Sequence, residues 1–305
     1  VPESGVSSPP ESKRTFCSRA CDVGKVILLI IIIPPFLNYA SLQREGALLF
    51  PEGGLAVDIG LGQKINLVCK GEGQPVVLLD APTGMSSDAW FHVQEDVSRV
   101  TKKATYHRMV DDLHRLIRAA NIATPLILAG SELGGLNGRF YSHIHNLDVS
   151  DLVLIDPIPE DVFEEDQWRQ YWYTQLVPSL QAVQFSAATG LNRMFIILGW
   201  MQPAIRGENV SEDLIQRQKY CLSNPSHQSS AVDEHFFLNE SVSQVRELSR
   251  FKPLSSMTSV SVITGDYFDE QLPAHLNKVV AECQKRFLEQ SYPSAKRIHV
   301  PGADR

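Results

Sequence analysis

The pattern of apolar and polar residues divides the chain into an N-terminal segment and a longer alternating part. Residues 26–37 form one apolar run, and uncharged residues continue it as far as Arg44, with Lys25 on its other side. A span bracketed in this way has the length of a membrane helix, although two adjacent prolines would kink it and a buried helix is the alternative. We predict a transmembrane anchor over residues 25–43. The preceding residues, 1–24, are rich in Ser, Pro and Glu, and we expect a disordered tail there.

Charges beside the anchor indicate its orientation. Four basic residues lie on its N-terminal side: Lys13, Arg14, Arg19 and Lys25. On its C-terminal side, one nearby basic residue, Arg44, follows. Because basic residues flanking a membrane helix favour the cytosolic side, we expect a cytosolic N-terminus and a large domain that is lumenal or extracellular. Sequons at Asn209 and Asn239 agree with that side, and a cleaved signal peptide is the rival interpretation.

Downstream of the anchor, strand-like and helix-like patterns follow each other. Residues 55–59 and 64–69 alternate apolar and polar side chains around two glycines and predict a hairpin. Six further segments predict strands, several of them nearly continuous apolar runs typical of a buried parallel sheet: 75–79, 104–106, 125–129, 151–155, 260–264 and 297–300. Apolar residues at helical spacing predict helices at 109–121, 134–145 and 273–290.

The order of these elements predicts the architecture. A hairpin that leads into alternating strands and helices indicates an α/β sandwich with a mostly parallel sheet and helices on both faces. Residues 158–255 have several helical segments and no strand pattern. We therefore expect one domain over residues 50–305, with a helical cap at about 158–255 inserted after the sixth strand.

Composition narrows the classes of partner. The formal net charge is −7 and the pI is near 5.7, so the chain has no broad basic surface for nucleic acid. The five cysteines contain no Cys-x-x-Cys pair, which indicates neither a zinc site nor a disulfide framework. No motif for a metal or an organic cofactor is evident, and the sequence does not determine the oligomeric state.

One segment resembles a known superfamily. Residues 126–135 read LILAGSELGG, an apolar strand that runs into Gly130-Ser131-Glu132-Leu133-Gly134 and then a helical pattern. This resembles the G-x-S-x-G nucleophile elbow of α/β hydrolases, a tight turn that lifts the nucleophile above the sheet. The resemblance covers about residues 55–305. It implies a hydrolase of esters, amides or lipid-like substrates.

The elbow departs from that pattern at the nucleophile. Glu132 occupies the nucleophile position, and the serine lies one residue earlier, at Ser131. Three interpretations compete: Glu132 is a carboxylate nucleophile, Ser131 acts after a local adjustment, or the site no longer performs covalent catalysis. Because a nucleophile needs exact placement, we favour the third.

The resemblance also implies an oxyanion hole. One donor should be the backbone N–H of Leu133, and the second should come from the loop after the third strand. The matching position in that loop is Pro82, which has no N–H. We expect a missing donor unless Thr83 or Gly84 substitutes for it.

The acid and the base come last in the family's order. In the loop after the strand at 260–264, Asp269 is the better match to the acid and Asp266 is the alternative. The loop after the last strand usually carries the histidine, and residues 300–305 contain none. His299 lies within the strand, and we expect it to be an ordinary strand residue. The printed chain is thus expected to lack its general base.

Two other segments bear on function. The strand at 104–106 runs directly into a helix, where family members have a loop of about a dozen residues that lines the pocket. Five aromatic residues in the cap recur at helical spacing and indicate core packing more than a substrate pocket: Phe163, Trp168, Tyr171, Trp172 and Tyr173. We expect a membrane-anchored hydrolase that is impaired or inactive. The alternative is a pseudo-hydrolase that serves as a binding or scaffolding ectodomain.

Overall fold

The structure is a computed structural model. It describes residues 16–49, 54–60, 62–99, 101, 103–106, 110–207, 210–266, 268–269 and 272–303. The predicted tail at 1–15, the abrupt join at 107–109 and the sequon residue Asn209 lie outside the described residues.

Eight strands form one sheet. They are β1 (Gly54–Gly60), β2 (Gln63–Lys70), β3 (Val77–Asp80), β4 (Lys103–Tyr106), β5 (Leu126–Ser131), β6 (Val149–Ile155), β7 (Ser259–Thr264) and β8 (Lys296–His299). Their order across the sheet is β1-β2-β4-β3-β5-β6-β7-β8. β2 pairs antiparallel with β1 and with β4, and every other pair is parallel. The predicted hairpin and mostly parallel sheet are confirmed.

Both faces of the central strands are buried. Along β3, Leu78 packs into a core with Leu113 and Leu116, whereas the next residue, Leu79, packs with Trp90 on the opposite face. Because successive strand residues point to opposite sides of a sheet, a strand covered on both faces is apolar throughout. This explains why the central strands are nearly continuous apolar runs.

Eleven α-helices are found in the described residues. They are α1 (Phe16–Leu48), α2 (Phe91–Ser98), α3 (Val110–Ala119), α4 (Glu132–Ile144), α5 (Asp166–Tyr171), α6 (Val177–Ala188), α7 (Leu191–Ile197), α8 (Glu212–Ser223), α9 (Pro225–Phe236), α10 (Leu238–Phe251) and α11 (Ala274–Gln290). A π-helical turn at Trp172–Leu176 joins α5 to α6. Helices α5 to α10 lie between β6 and β7, so the helical insertion follows the sixth strand as predicted.

Helix α1 begins earlier than the sequence suggested. It starts at Phe16, so residues 16–24, which were predicted to be part of the tail, are helical. This segment contains no proline and adds turns to a helix that the apolar run has already nucleated, which costs less than starting a new helix. Within the described residues, one helix, over Cys21–Gly46, is long and apolar enough to cross a membrane.

Candidate active site

Glu132 occupies the tight turn between β5 and α4. It is the first residue of α4, and its φ of +47° lies in the left-handed region, which residues other than glycine rarely adopt. Such strain is concentrated at functional positions. The helix N-terminus also favours a negative charge at this point.

Two glycines allow the turn to pack. A Cβ on Gly130 would lie 2.4 Å from the carbonyl carbon of Gly134, and a Cβ on Gly134 would lie 2.7 Å from the carbonyl oxygen of Asp80. Both distances are shorter than atoms can approach. The glycine frame is therefore required for α4 to approach β5 and the end of β3.

Ser131 is directed differently from Glu132. Its backbone is extended, with φ −112° and ψ 148°. It lines a cavity of about 450 Å³ together with Pro82, Asp156 and residues at and after the ends of β7 and β8. Glu132 lines this cavity and also a second one beneath the cap. Ser131 is not among the described residues that line the cap cavity.

Three backbone N–H groups beside Glu132 are already bonded within the protein. The N–H of Leu133 donates to the hydroxyl oxygen of Thr83 at 3.3 Å, and the N–H of Thr83 donates to Oε2 of Glu132 at 3.3 Å. The N–H of Gly84 donates to Oε2 of Glu234, on cap helix α9, at 2.7 Å. These are the groups that an oxyanion would need as donors. Thr83 and Gly84 therefore have the N–H groups that Pro82 lacks, but direct them at carboxylates.

The cap cavity has a volume of about 300 Å³, which is at the small end for ligand pockets. Its walls are mainly aromatic and aliphatic side chains from the cap, including Phe163, Trp168 and Trp172. These aromatics also belong to the buried core. From the sequence, core packing and pocket lining were treated as alternatives, but these side chains do both. They serve both roles because the cavity is a gap inside that core.

Four polar side chains face the same cavity. They are Glu132, Tyr171, His235 and Asp269. Burial raises the pKa of the Tyr171 phenol, and the nearby Asp269 carboxylate raises it further. Tyr171 is therefore a neutral hydroxyl at physiological pH.

The acid loop is held by α11. The N–H of Asp269 donates to Oδ1 of Asn277 at 2.8 Å, and Nδ2 of Asn277 donates to the carbonyl oxygens of Asp269 and Leu272 at 2.8 and 3.1 Å. Asn277 is buried. Asn277 thereby holds Asp269, which lines the same cavity as Glu132.

The alternative acid, Asp266, lies beside a histidine. Nε2 of His299 lies 3.0 Å from Oδ1 of Asp266, and the N–H of Gly302 donates to Oδ2 of Asp266 at 2.7 Å. His299 lies in β8, as expected from the sequence, and its ring also contacts Asp266. Both side chains are about half exposed, and neither is among the described residues that line the two Glu132 cavities.

Solved structures with the same arrangement show which fold this is. The Cif epoxide hydrolase from Acinetobacter nosocomialis superposes with a TM-score of 0.60 at 12% identity, over 88% of this chain and 90% of that chain. Cfl2 from Burkholderia cenocepacia superposes with a TM-score of 0.56 at 16% identity, over 81% of this chain and 87% of that chain. This chain has the α/β-hydrolase fold. The prediction made from the elbow is confirmed at this level.

Comparison with known protein sequences does not identify a family for this chain. No protein-family model matches the chain. The protein named Probable transporter efuK, from Hormonema carpetanum, is 26% identical over 124 residues, which is 33% of this chain and 18% of that protein. The chain therefore spans less than a fifth of the length of that relative.

His235 lines the cap cavity and is not marked by any pattern in the sequence. In this α/β-hydrolase fold it belongs to the cap, near the end of α9, and its ring stacks on Trp172 at 5.7 Å between centroids. Its Nδ1 lies 2.7 Å from the carbonyl oxygen of Ala231. No local motif marks His235, because tertiary packing of the cap brings it to the cavity that Glu132 lines.

Away from the elbow of the α/β-hydrolase fold, one group of described residues has the composition of a metal site. Ligand atoms of His114, His145 and Asp148 lie within 4.8 Å of one another. The two imidazole rings are nearly parallel, 7° apart, with centroids 4.1 Å apart. Tyr141 bridges the group, with its hydroxyl 3.2 Å from Nδ1 of His114 and 3.0 Å from Oδ2 of Asp148. Because nitrogen lone pairs lie in the ring planes, parallel rings do not converge on one ion. The geometry is that of a hydrogen-bonded cluster.

Proposed function

We propose that this chain is a membrane-anchored α/β-hydrolase-fold protein that holds an apolar, lipid-like small molecule beneath its cap and is impaired in covalent hydrolysis of esters and amides. The observation that carries the proposal is the occupation of the oxyanion donors. The N–H groups of Leu133, Thr83 and Gly84 donate to the hydroxyl of Thr83, to Glu132 and to Glu234. An ester carbonyl in the cavity would find no free donor among these three.

The energetic consequence is large enough to matter. Removing one oxyanion donor from an active hydrolase costs about 3 kcal/mol of transition-state stabilisation, or a factor of about a hundred or more in rate. Here two of the three acceptors are carboxylates, whose bonds to N–H groups are stronger than those of neutral acceptors. A substrate oxygen would have to displace them.

The cavity supports an apolar ligand. Its lining is dominated by side chains such as Trp168, Trp172 and Leu176, which gain from burying hydrocarbon and offer few fixed hydrogen bonds. The four polar groups lie among these apolar walls. A molecule with a hydrocarbon body and one polar end fits this distribution.

The exposed side chains of helix α1 support the proposal that it is a membrane anchor. Its apolar side chains are largely exposed, for example Ile31 at 63% and Phe36 at 72%, as expected of a helix in contact with lipid. The surplus of basic residues on the N-terminal side of its apolar run supports a cytosolic N-terminus and a lumenal or extracellular domain. Protease protection in microsomes tests this orientation, because digestion of the domain in intact vesicles would contradict it.

The first test compares the chain with a Glu132→Ala variant. We expect both to hydrolyse an activated ester such as a p-nitrophenyl acyl ester at the same background rate. Circular dichroism of the two proteins serves as the folding control. Turnover above background that disappears in Glu132→Ala would contradict the impaired site.

The second test measures ligand binding. A fluorescent fatty acid is titrated into the full chain in micelles and into two variants of the same cap region. Leu176 lines the cavity, so Leu176→Trp should fill part of it and weaken binding. Leu180 is not among the described lining residues, so Leu180→Trp should leave binding unchanged. Equal affinity in both variants would place the ligand elsewhere.

A second candidate function is favoured by the way Glu132 is held. The N–H of Thr83 binds Oε2, which leaves Oε1 as the oxygen that would attack in a carboxylate-nucleophile hydrolase. With an epoxide, Oε1 forms a bond to a ring carbon, the carbon–oxygen bond of the ring breaks, and the ring oxygen takes a proton from the solvent. Water then attacks the ester carbonyl of Glu132, releases the diol and leaves one solvent oxygen in the carboxylate. Because one structural neighbour is named an epoxide hydrolase, an apolar epoxide belongs in the substrate panel.

Reaction in oxygen-18 water separates the interpretations. The peptide over residues 126–139 is analysed by mass after a single turnover. Label in Glu132 would support the carboxylate nucleophile, and an acylated Ser131 would support the shifted serine. An unmodified peptide with no product is the result that we expect.

A further inference from the structure

Half of the uncharged part of α1 lies against the cap. A Cβ on Gly190 would lie 2.4 Å from the carbonyl oxygen of Pro34, which shows how closely α1 approaches the start of α7. Nδ2 of Asn38, a buried side chain, donates to the carbonyl oxygens of Ala187 and Ser223 at 3.1 and 2.9 Å. These contacts fix the position of α1 along the cap.

An ion pair extends the same contact. Arg193 of α7 donates to Oδ1 of Asn38 at 2.9 Å and to both carboxylate oxygens of Glu45 at 2.8 Å. Both charged side chains are mostly shielded from solvent. A bidentate pair of this kind adds geometric specificity to the docking.

The length of α1 then constrains the cap. The uncharged run over residues 26–43 contains 18 residues. At about 1.5 Å per residue it measures roughly 27 Å, close to the thickness of the hydrocarbon core. The part before Pro34, residues 26–33, accounts for only about 12 Å of this. If α1 spans a bilayer, the docked half must reach membrane depth, and α7 must approach the lipid beside it.

The cap is apolar at this place. Six large side chains are exposed on α6, α7 and the segment after α7, and we call them the lipid face: Phe185, Leu191, Met194, Ile197, Leu198 and Trp200. Ile197 and Trp200 are 76% and 75% exposed. Between residues 191 and 204 the one charged residue is Arg193, which α1 already neutralises. Exposed apolar patches mark interaction surfaces, and tryptophan favours the membrane interface.

We propose that the lipid face of the cap lies in the interfacial region of the bilayer beside α1, so that the cap as well as the helix contacts lipid. The proposal rests on the membrane anchoring proposed above. Its occupant is the bilayer rather than a second protein copy, because α6 and α7, which carry most of the lipid face, contact α1, whose own apolar side chains are exposed along the proposed anchor. The ion pair and the Asn38 contacts hold the two surfaces together.

Tryptophan fluorescence of the full chain in phosphatidylcholine liposomes tests the proposal. Of the four tryptophans, Trp90, Trp168 and Trp172 are buried and Trp200 is exposed. Lipids brominated near the headgroup end of the acyl chains should quench wild-type emission. The Trp200→Phe variant should lose most of that quenching. Its folding is little affected, since the side chain is exposed.

A matched control moves the probe to another exposed site. Phe251, on α10, is 85% exposed and lies on a helix that packs against α4. In the Trp200→Phe background, Phe251→Trp should be quenched by aqueous iodide and not by brominated lipid. This shows that quenching reports position and not mere exposure.

The outcomes are distinguishable. Resistance to carbonate washing together with Trp200 quenched by brominated lipid supports the proposal. Resistance without quenching overturns it and leaves the anchor intact. Trp200 shielded from iodide but not quenched by lipid overturns it in favour of a second protein copy. Release of the chain by carbonate, with Trp200 unquenched, overturns both the anchor and this proposal.

Discussion

A buried charge on α4 provides a sharp test of what holds the cap to the sheet. Arg139 is 1% exposed. Its Nη2 forms an ion pair with Glu160, which lies between β6 and the cap, and its Nε donates to the hydroxyl of Tyr292 at 2.9 Å. Its guanidinium also lies 5.1 Å from the ring centroid of Phe287. One side chain thus joins the helix after the elbow, the C-terminal helix region and the base of the cap.

The expected cost of removing it follows from these contacts. Arg139→Met keeps much of the buried volume but leaves the Glu160 carboxylate, 15% exposed, without its partner. Breaking a buried pair from one side costs about 3–5 kcal/mol of unfolding free energy. Glu160→Leu should cost about as much, since it strands a buried guanidinium. The double variant should lose about 2 kcal/mol less than the sum, because neither charge is then left alone.

Urea unfolding of the full chain in detergent micelles measures these differences. The emission of the buried Trp90, Trp168 and Trp172 reports the transition, and an unchanged denaturant slope shows that the unfolded states are comparable. Arg139→Lys is the control that keeps the charge without the planar fork, and it should be intermediate. Effects of the two single variants that add to within about 0.5 kcal/mol would refute the coupling.

Two further predictions concern pH and the docking of α1. Burial lowers the pKa of His143. The pKa of His145 is also lowered, mainly by burial and to a smaller extent by the neighbouring His114. The unfolded chain then binds more protons, so stability should be full above about pH 6.5 and fall below it. His143→Gln should flatten that slope in unfolding measured at several pH values, and an unchanged slope would contradict the assignment. Gly190→Ala should speed hydrogen exchange in residues 34–46, because its Cβ meets α1, whereas Gly199→Ala, with a similar φ of +76° but open space, should not. Equal exchange in both variants would contradict the docked helix.

Much of the fold could be predicted because it is encoded locally. The apolar run at 125–129 and the helical spacing after it identify β5 and α4 without any knowledge of their neighbours. The insertion after β6 was visible as the loss of strand pattern. The start of α1 could not be predicted from the pattern, because residues 16–24 lack apolar periodicity. They are helical because they extend the helix of the apolar run.

The state of the candidate site could not be predicted, because it depends on residues far apart in the chain. The N–H of Leu133 meets the hydroxyl of a residue 50 positions away, and the N–H of Gly84 meets a carboxylate 150 positions away. The sequence offers Thr83 and Gly84 as possible replacements for the donor that Pro82 lacks, but it does not show that their N–H groups are already bonded. His235 reaches the cavity by the same long-range packing of the cap.

The elbow shows why a motif and an activity must be argued separately. Gly134 is required because any side chain there would meet the carbonyl oxygen of Asp80 at 2.7 Å, and this holds whether or not the neighbouring residue reacts. The positive φ of Glu132 likewise follows from the way the chain turns from β5 into α4. Packing alone would therefore preserve the glycine frame after catalysis was lost. The chemistry depends instead on which groups the donors meet. In this chain they meet Thr83, Glu132 and Glu234, so the frame belongs to the α/β-hydrolase fold, and the bonded donors are the observation behind the proposed impairment.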